Sequence, residues 1–331
     1  MPAFPLLALA ATITAAAPDE TQRNFGHWVS VCDNGLRFQV SSAMGQPANI
    51  NVHLHVRREA GPEAAVEIAA DTDGVWGPGP HSLLIDGQLF ALVQREILLV
   101  VPAGSAMAAA RALAQARSVQ VVAGGERHPI SAQGSAAALR DMDARQGRTG
   151  TVTAIVATGT RAASTMPAPP PPPVRTERIA PRDGPVIRPS ARRVAEWRGA
   201  EDCDPRLDPA DYPTQSWPLD ARQAVILVPC HAGPHYGHAL VMVGRRADGS
   251  DARPASFDVE LSMSERSGPA VPTDNADRSE TSGRLISGQR GAIAYPSTYE
   301  EWVWDGQRFR LIERIGSYGS YFRARVRRRR D

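Results

Sequence analysis

Five successive prolines, Pro169 to Pro173, stand near the middle of this chain in the stretch Met166-Pro-Ala-Pro-Pro-Pro-Pro-Pro-Val174. Proline offers no amide hydrogen and its ring fixes φ, so such a run joins neither a helix nor a central strand. The polypeptide therefore has to fold on either side of it. Polyproline is a stiff, solvated rod without internal hydrogen bonds. The sequence thus predicts two folded units held apart by a proline-rich linker over 164–194. The first unit is expected over 18–163 and the second over 195–322, with an arginine-rich tail at 323–331. A chain of 331 residues suffices for two cores of ordinary size.

The formal charge of +2 hides an asymmetry. Six arginines and one aspartate over 323–331 carry +5, which leaves residues 1–322 at −3. All 37 cationic side chains are arginine, and lysine is absent. A Schiff-base lysine, a phosphate-loop lysine and a kinase lysine each need an amine with a tunable pKa or a point charge, so those chemistries are excluded. No glycine-rich nucleotide fingerprint occurs either, and no cofactor is implied.

The opening run Met1-Pro-Ala-Phe-Pro-Leu-Leu-Ala-Leu-Ala-Ala-Thr-Ile-Thr-Ala-Ala-Ala17 is apolar and closes on small residues. This is the pattern of a secretory signal peptide over 1–17, cleaved after Ala16 or Ala17. It falls short of the roughly 20 apolar residues of a membrane span, and no transmembrane segment is expected further on. The mature protein is expected to be periplasmic or secreted. Cys32, Cys203 and Cys230 make an odd number in an oxidising compartment, so one thiol is left over.

Strand signals dominate. Phe25, His27, Val29 and Val31 alternate with Gly26, Trp28 and Ser30, and Asn51-Val-His-Leu-His-Val-Arg57 alternates likewise; this is the period of a half-buried strand. Asp86-Gly87 predicts a two-residue hairpin turn, and Asp305-Gly306 a second one. The second would place Trp302 and Trp304 on one face with Phe309 and Leu311 paired across from them. Helices are expected at 105–117 and 135–146, each opened by a capping serine, the latter stopped by Gly147. Further strands are expected near 119–123 and 151–157. In the second unit 224–229, 238–243 and 257–263 read as buried strands, 264–283 as a polar surface loop, and 181–196 lacks periodicity. The expected fold class is mainly β with a few helices, arranged as two β-sandwich-like domains joined by the proline-rich linker.

Within Cys230-His-Ala-Gly-Pro-His-Tyr-Gly-His238, a turn at Gly233-Pro234 would gather His231, His235 and His238, a set suited to zinc or copper. The spacing matches no known zinc pattern and no second cluster supplies distal ligands, which favours a solvated turn anchored by a disulfide. Cys32 stands beside Asp33, whose charge raises a thiol pKa, so a buried or inert cysteine is expected there. His53 and His55 share a strand face with Asn51 and Arg57, as on a wet sheet surface. No Gly-x-Ser-x-Gly nucleophile elbow occurs. The tail, with Arg327, Arg328, Arg329 and Arg330 in succession, suits the phosphates of an anionic polymer or lipid. In an exported protein nucleic acid is not the expected partner.

Several segments together resemble a bacterial envelope family, the domain of unknown function 1176, itself distantly similar to invasion-associated locus B proteins. They are Phe25-Gly-His-Trp-Val-Ser-Val-Cys-Asp-Asn-Gly35, Ile130-Ser-Ala-Gln-Gly-Ser-Ala-Ala-Ala-Leu-Arg-Asp-Met-Asp-Ala-Arg-Gln-Gly-Arg-Thr-Gly-Thr151, Leu227-Val-Pro-Cys230, Arg290-Gly291, Glu301-Trp-Val-Trp-Asp-Gly306 and Arg323-Ala-Arg325. The family pattern carries a second cysteine where Phe38 stands here, and two more near Tyr295 and Ile315. The resemblance therefore implies a bridge between Cys203 and Cys230 and leaves Cys32 as the orphan. The family's Gly-Ala-Tyr-Asn after the cysteine is replaced by Gly233-Pro-His-Tyr236, which weakens the metal reading.

The expectation is an exported, non-catalytic binding module of the envelope, its partner an envelope protein or an anionic envelope polymer. Such a module predicts an exposed aromatic patch near Trp302 and Trp304. The competing expectation, a metal-binding protein or hydrolase, predicts a polar pocket where His231, His235 and His238 converge.

Overall fold

Ten antiparallel strands from the first half of the chain line up in one sheet. They are β1 (Gln22–Phe25), β2 (Trp28–Cys32), β3 (Phe38–Ser42), β4 (Val52–Arg58), β5 (Val66–Thr72), β6 (His81–Ile85), β7 (Gln88–Arg95), β8 (Leu98–Val100), β9 (Val119–Ala123) and β10 (Glu126–Ile130). Their order is β1-β2-β3-β4-β5-β8-β7-β6-β9-β10. The computed structural model describes residues 22–43, 52–72, 76–179, 188–233, 237–258, 273–288, 298–316 and 318–330, and the expected leader lies outside them. Asp86 and Gly87 close β6 onto β7 with φ of 47° and 84°, the positive values a two-residue turn requires.

Two alanine-rich helices, α1 (Ala103–Leu113) and α2 (Ser135–Arg145), cover one face of this sheet. Ala106, Ala109, Ala110 and Leu113 of α1 and Ala138, Leu139 and Met142 of α2 join Trp28, Phe38, Leu54, Ile68, Leu83 and Leu99 in a single core. The first half is thus mainly β, one large antiparallel sheet with two helices sharing its core. Neither helix uses its serine as a cap. α1 begins at Ala103 after Pro102, before Ser105, and α2 is capped by Gly134 at φ 101°. Ser135 instead donates to the carbonyls of Leu113 and Ala132 at 3.0 and 2.9 Å, tying the start of α2 to the end of α1. The strand expected at 151–157 is absent, because Asp143 Oδ2 takes the N–H groups of Ile155 and Val156, each at 2.8 Å, that a sheet partner would otherwise take.

The second half contains two five-stranded sheets. One joins β12 (Gln215–Pro218), β13 (Gln223–Ala232), β14 (Gly237–Arg245), β15 (Arg253–Pro254) and β16 (Thr273–Asp274); the other joins β17 (Asp277–Arg278), β18 (Leu285–Ser287), β19 (Thr298–Trp304), β20 (Phe309–Gly316) and β21 (Gly319–Arg323). Trp217, Val225, Leu227 and Val241 from the first meet Leu285, Trp302, Trp304, Phe309 and Leu311 from the second in a shared core. Of the strand expected at 257–263, Phe257 bridges to Phe309, and residues 259–263 lie outside the described residues. The other face of β13 and β14 is covered by α3 (Ala191–Ala200) through Val194 and Trp197. α3 lies where no periodicity was expected, because these two side chains, three residues apart behind the cap of Ser190, are the only apolar anchors it offers the sheet.

Two further expectations are corrected. Asp305-Gly306 does not make a two-residue turn: Trp304 pairs with Phe309, and Asp305 Oδ1 accepts from the backbone N–H of Gln307 and Arg308, so four residues form the loop. Nor does the proline segment hold the halves apart. β21 lies over the face of β2 and β3 away from the helices, Asn34 and the Arg323 backbone exchange two hydrogen bonds of 2.8 Å, and Tyr321 donates to Gln22 at 2.6 Å. β2 is consequently buried on both faces, which is why Trp28, Val29, Ser30, Val31 and Cys32 are all inaccessible.

Candidate functional site

Most of the arginine-rich tail expected at 323–331 is a strand. β22 (Arg325–Arg330) runs parallel to β11 (Val174–Ile179), which starts directly after the prolines, with Val174 opposite Arg325 and Glu177 opposite Arg328. Successive residues of a strand point to opposite faces, so the ribbon has an inner and an outer side. On the inner side the nearly buried Glu177 receives Arg284 Nε at 2.7 Å, Arg284 Nη2 at 3.0 Å and Arg328 Nε at 3.1 Å. Burial alone would raise the Glu177 carboxyl, and the bonds and charges of Arg284 and Arg328 more than reverse this, holding it below the usual glutamate range. On the outer side Arg325, Arg327 and Arg329 are exposed and, among the described residues, make no ion pair. Same-face residues of a parallel strand recur about every 6.6 Å, so these arginines form a regular cationic row. Arg330 continues the strand backbone.

Trp302 and Trp304 do not form an exposed patch. They are 1% and 3% accessible, enclosed by the opposing sheet, and their indole N–H groups donate to Ser287 Oγ at 3.2 Å and Asp220 Oδ2 at 2.8 Å. The cross-strand pairs Trp302 with Leu311 and Trp304 with Phe309 occur as the sequence pattern places them. Burial follows from having a second apolar face to meet.

His231 and His238 sit opposite one another on β13 and β14, rings edge to face with centroids 6.1 Å apart. His235 lies outside the described residues. Among the described residues no three His, Cys, Asp or Glu side chains are gathered closely enough to hold a metal ion. Cys203 and Cys230 are joined in a disulfide that ties the end of α3 to β13. Cys32 is unpaired and buried, donating to the Asp33 carbonyl at 3.3 Å; burial pushes its thiol up to about 12.

His55 is not on a wet surface. Its Nδ1 lies 2.8 Å from Ser41 Oγ and its Nε2 3.0 Å from Asp71 Oδ2, an order of groups that resembles a nucleophile, base and acid. Ser41 has no accessible surface and also takes a hydrogen bond from Gln39, so no substrate reaches its oxygen in this conformation.

A buried arginine centre went unread in the sequence. Arg148 is fully inaccessible, with Nε on Gln146 Oε1 at 2.9 Å, Nη1 on Thr153 Oγ1 at 3.0 Å and Nη2 on the Gly61 carbonyl. Gln146 Nε2 donates to the Leu36 carbonyl at 2.8 Å, and the buried Arg58 to the carbonyls of Ala64 and Thr153 at 3.0 and 2.8 Å. Desolvation lowers the Arg58 guanidinium to about 10, with Arg148 adding to the effect. Asp143 is the carboxylate that acts on both arginines; burial raises it, against the N–H groups of Val156 and Ile155. Asp143, Gln146 and Arg148 all belong to the segment 130–151, whose expected helix and family resemblance said nothing of a buried charge.

Comparison with curated proteins and with solved structures returns no match. The model of a family described as protein of unknown function, DUF1176, matches residues 22–316, a span that takes in both halves of the molecule, and the chain belongs to that family.

Proposed function

We propose that the protein is an exported, non-catalytic binding module of the envelope, built as two β-rich units bridged by the proline segment, and that it holds an anionic envelope polymer along the outer side of β22. The observation that carries this reading is the row Arg325, Arg327, Arg329: three exposed guanidinium groups without carboxylate partners among the described residues, on a strand that Glu177 fixes in place. A fixed row loses less conformational freedom on binding than a flexible tail. Guanidinium groups also pair with phosphate and carboxylate in a forked geometry. No helix among the described residues is long and apolar enough to cross a membrane.

The test uses long-chain inorganic polyphosphate and purified lipopolysaccharide as probes. Binding should weaken steeply with salt, as expected when several charges are neutralised together, and should be lost in Arg325→Gln/Arg327→Gln/Arg329→Gln while Arg192→Gln, on the exposed side of α3, leaves it unchanged. Binding that is indifferent to salt or to the triple substitution would remove β22 as the site.

A further inference from the structure

A cleft of about 700 Å³ opens where the hairpin of β20 and β21 meets the ends of β3, β4 and β5. Arg37, Arg57, Arg58 and Arg95 reach it from the first half and Arg323 from the second, against the two carboxylates Glu59 and Glu67. Those carboxylates are already engaged, Glu59 with Arg37 at 2.8 Å and Glu67 with Arg57 at 3.7 Å, and Arg323 carries its own pair, Nε to Glu313 Oε1 at 3.0 Å, which leaves its other guanidinium nitrogens for a ligand. Arg95 is exposed and has no ion pair among the described residues. Behind the wall Arg58 stands beside the buried Arg148 with Asp143 as their common counter-charge, so two desolvated cations face one anion whose own affinity for a proton is raised. Positive charge in a poorly solvated wall is weakly screened, and its field extends into the cleft. The remaining lining includes the apolar Val66, Val101 and Ile315 beside the polar Gln39 and Ser320.

We infer that this cleft is a binding site for an amphiphilic organic anion, a phosphate or carboxylate head on an apolar body, with the head held by Arg95 and Arg323 and the body against Val66 and Ile315. The volume falls within the range of small-molecule sites. The two arginines come from different halves of the chain, so occupancy also clamps the hairpin to the sheet. This site is separate from the outer side of β22 and does not rest on it.

Calorimetry on the full mature chain with decyl phosphate, decanoate and inorganic phosphate tests the assignment. One site per chain is expected for decyl phosphate or decanoate, and the stronger of the two identifies the head group. Arg95→Ala/Arg323→Ala should weaken it about tenfold or more, the loss of charge-assisted hydrogen bonds. The Arg323 contacts to Asn34 run through its backbone and survive that change, while its half-exposed side-chain pair with Glu313 is lost, so Arg95→Ala alone is measured beside the double variant. Ala103→Glu, an exposed lining position in the first turn of α1 where an acidic side chain suits the helix, should abolish binding while leaving the melting temperature in place. The triple change at Arg325, Arg327 and Arg329 should leave it unaltered. No heat with either amphiphile, equal affinity for inorganic phosphate alone, or binding unmoved by Ala103→Glu would overturn the inference.

Discussion

Glu177 and Arg284, 107 residues apart, form a two-pronged ion pair in which each carboxylate oxygen of Glu177 takes one N–H of the guanidinium, at 2.7 and 3.0 Å. Both side chains are largely shielded, with 12% and 15% of their surface accessible. The pair decides where the arginine-rich end goes, since Glu177 also draws Arg328 into register.

Glu177→Gln should therefore release β22. Breaking one side of a shielded pair costs about 3–5 kcal/mol, and the variant should be trimmed by trypsin within 325–330 at a protease dose that spares the wild type. The pH dependence has a definite sign. A carboxylate held below its ordinary value contributes stability above that value and loses it as pH falls through the folded-state one. Hydrogen exchange in β22 should thus accelerate only below the ordinary glutamate pKa of about 4.3. Equal trypsin sensitivity in both proteins would show that the tail is not docked.

Gly134 closes a second long-range contact. It holds φ 101° beneath the Phe25 carbonyl, where a Cβ would overlap the oxygen, while His27 donates to the Gln133 carbonyl at 2.9 Å and the Trp28 indole to Ser131 at 2.8 Å. The two motifs of residues 25–35 and 130–151 thereby interlock. Gly134→Ala should cost about 2 kcal/mol or more through backbone strain and the clash together. Gly61→Ala, at φ 104° with nothing within 4 Å, reports the strain alone. Urea midpoints at unchanged slope separate the two effects, and similar losses in both variants would remove the clash from the account.

What the sequence made legible was local. Asp86-Gly87 named its turn in two residues, and the apolar runs of β13 and β14 named their strands, because backbone preference and burial act there over a few positions. What it hid was settled at a distance. An arginine run becomes β22 only because β11 lends its backbone and Glu177 its charge, neither visible in the run itself. The loop at Asp305 widened because one carboxylate satisfied two amides. Trp302 and Trp304 looked like a surface patch until the opposing sheet supplied the other half of their core.

Arg148 illustrates the same distance dependence and is the next point to probe. Its partners are Gln146, Thr153 and the Gly61 carbonyl, so truncation leaves the buried Gln146 Oε1 without its donor and opens a space in the core. Arg148→Ala should destabilise the first half by about 3–5 kcal/mol. Asp143→Asn removes the counter-charge of Arg58 and Arg148 and is expected to be damaging as well, with partial recovery in the double variant Asp143→Asn/Arg148→Met, since the two sites share a network. Denaturant titration of the three variants checks this; strictly additive losses would mean that Asp143 and Arg148 act separately.

Cys32 provides a probe of packing that leaves the rest of the molecule untouched. The thiolate is the reactive form, and burial pushes this thiol from 9.0 to about 12, so iodoacetamide at pH 8 should leave the native chain unlabelled. Unfolding without reductant should expose one labelled site and unfolding with reductant three, because Cys203 and Cys230 are bridged. The linkage runs opposite to that of Glu177. A group whose pKa is raised by folding stabilises the native state below its unfolded value, and the stability drains away as the unfolded thiol ionises first, between pH 9 and about 12. Cys32→Ala should flatten that part of the alkaline stability profile. Fast labelling of the native chain, or an alkaline limb unchanged in Cys32→Ala, would place the thiol at the surface and undo the two-sided burial of β2.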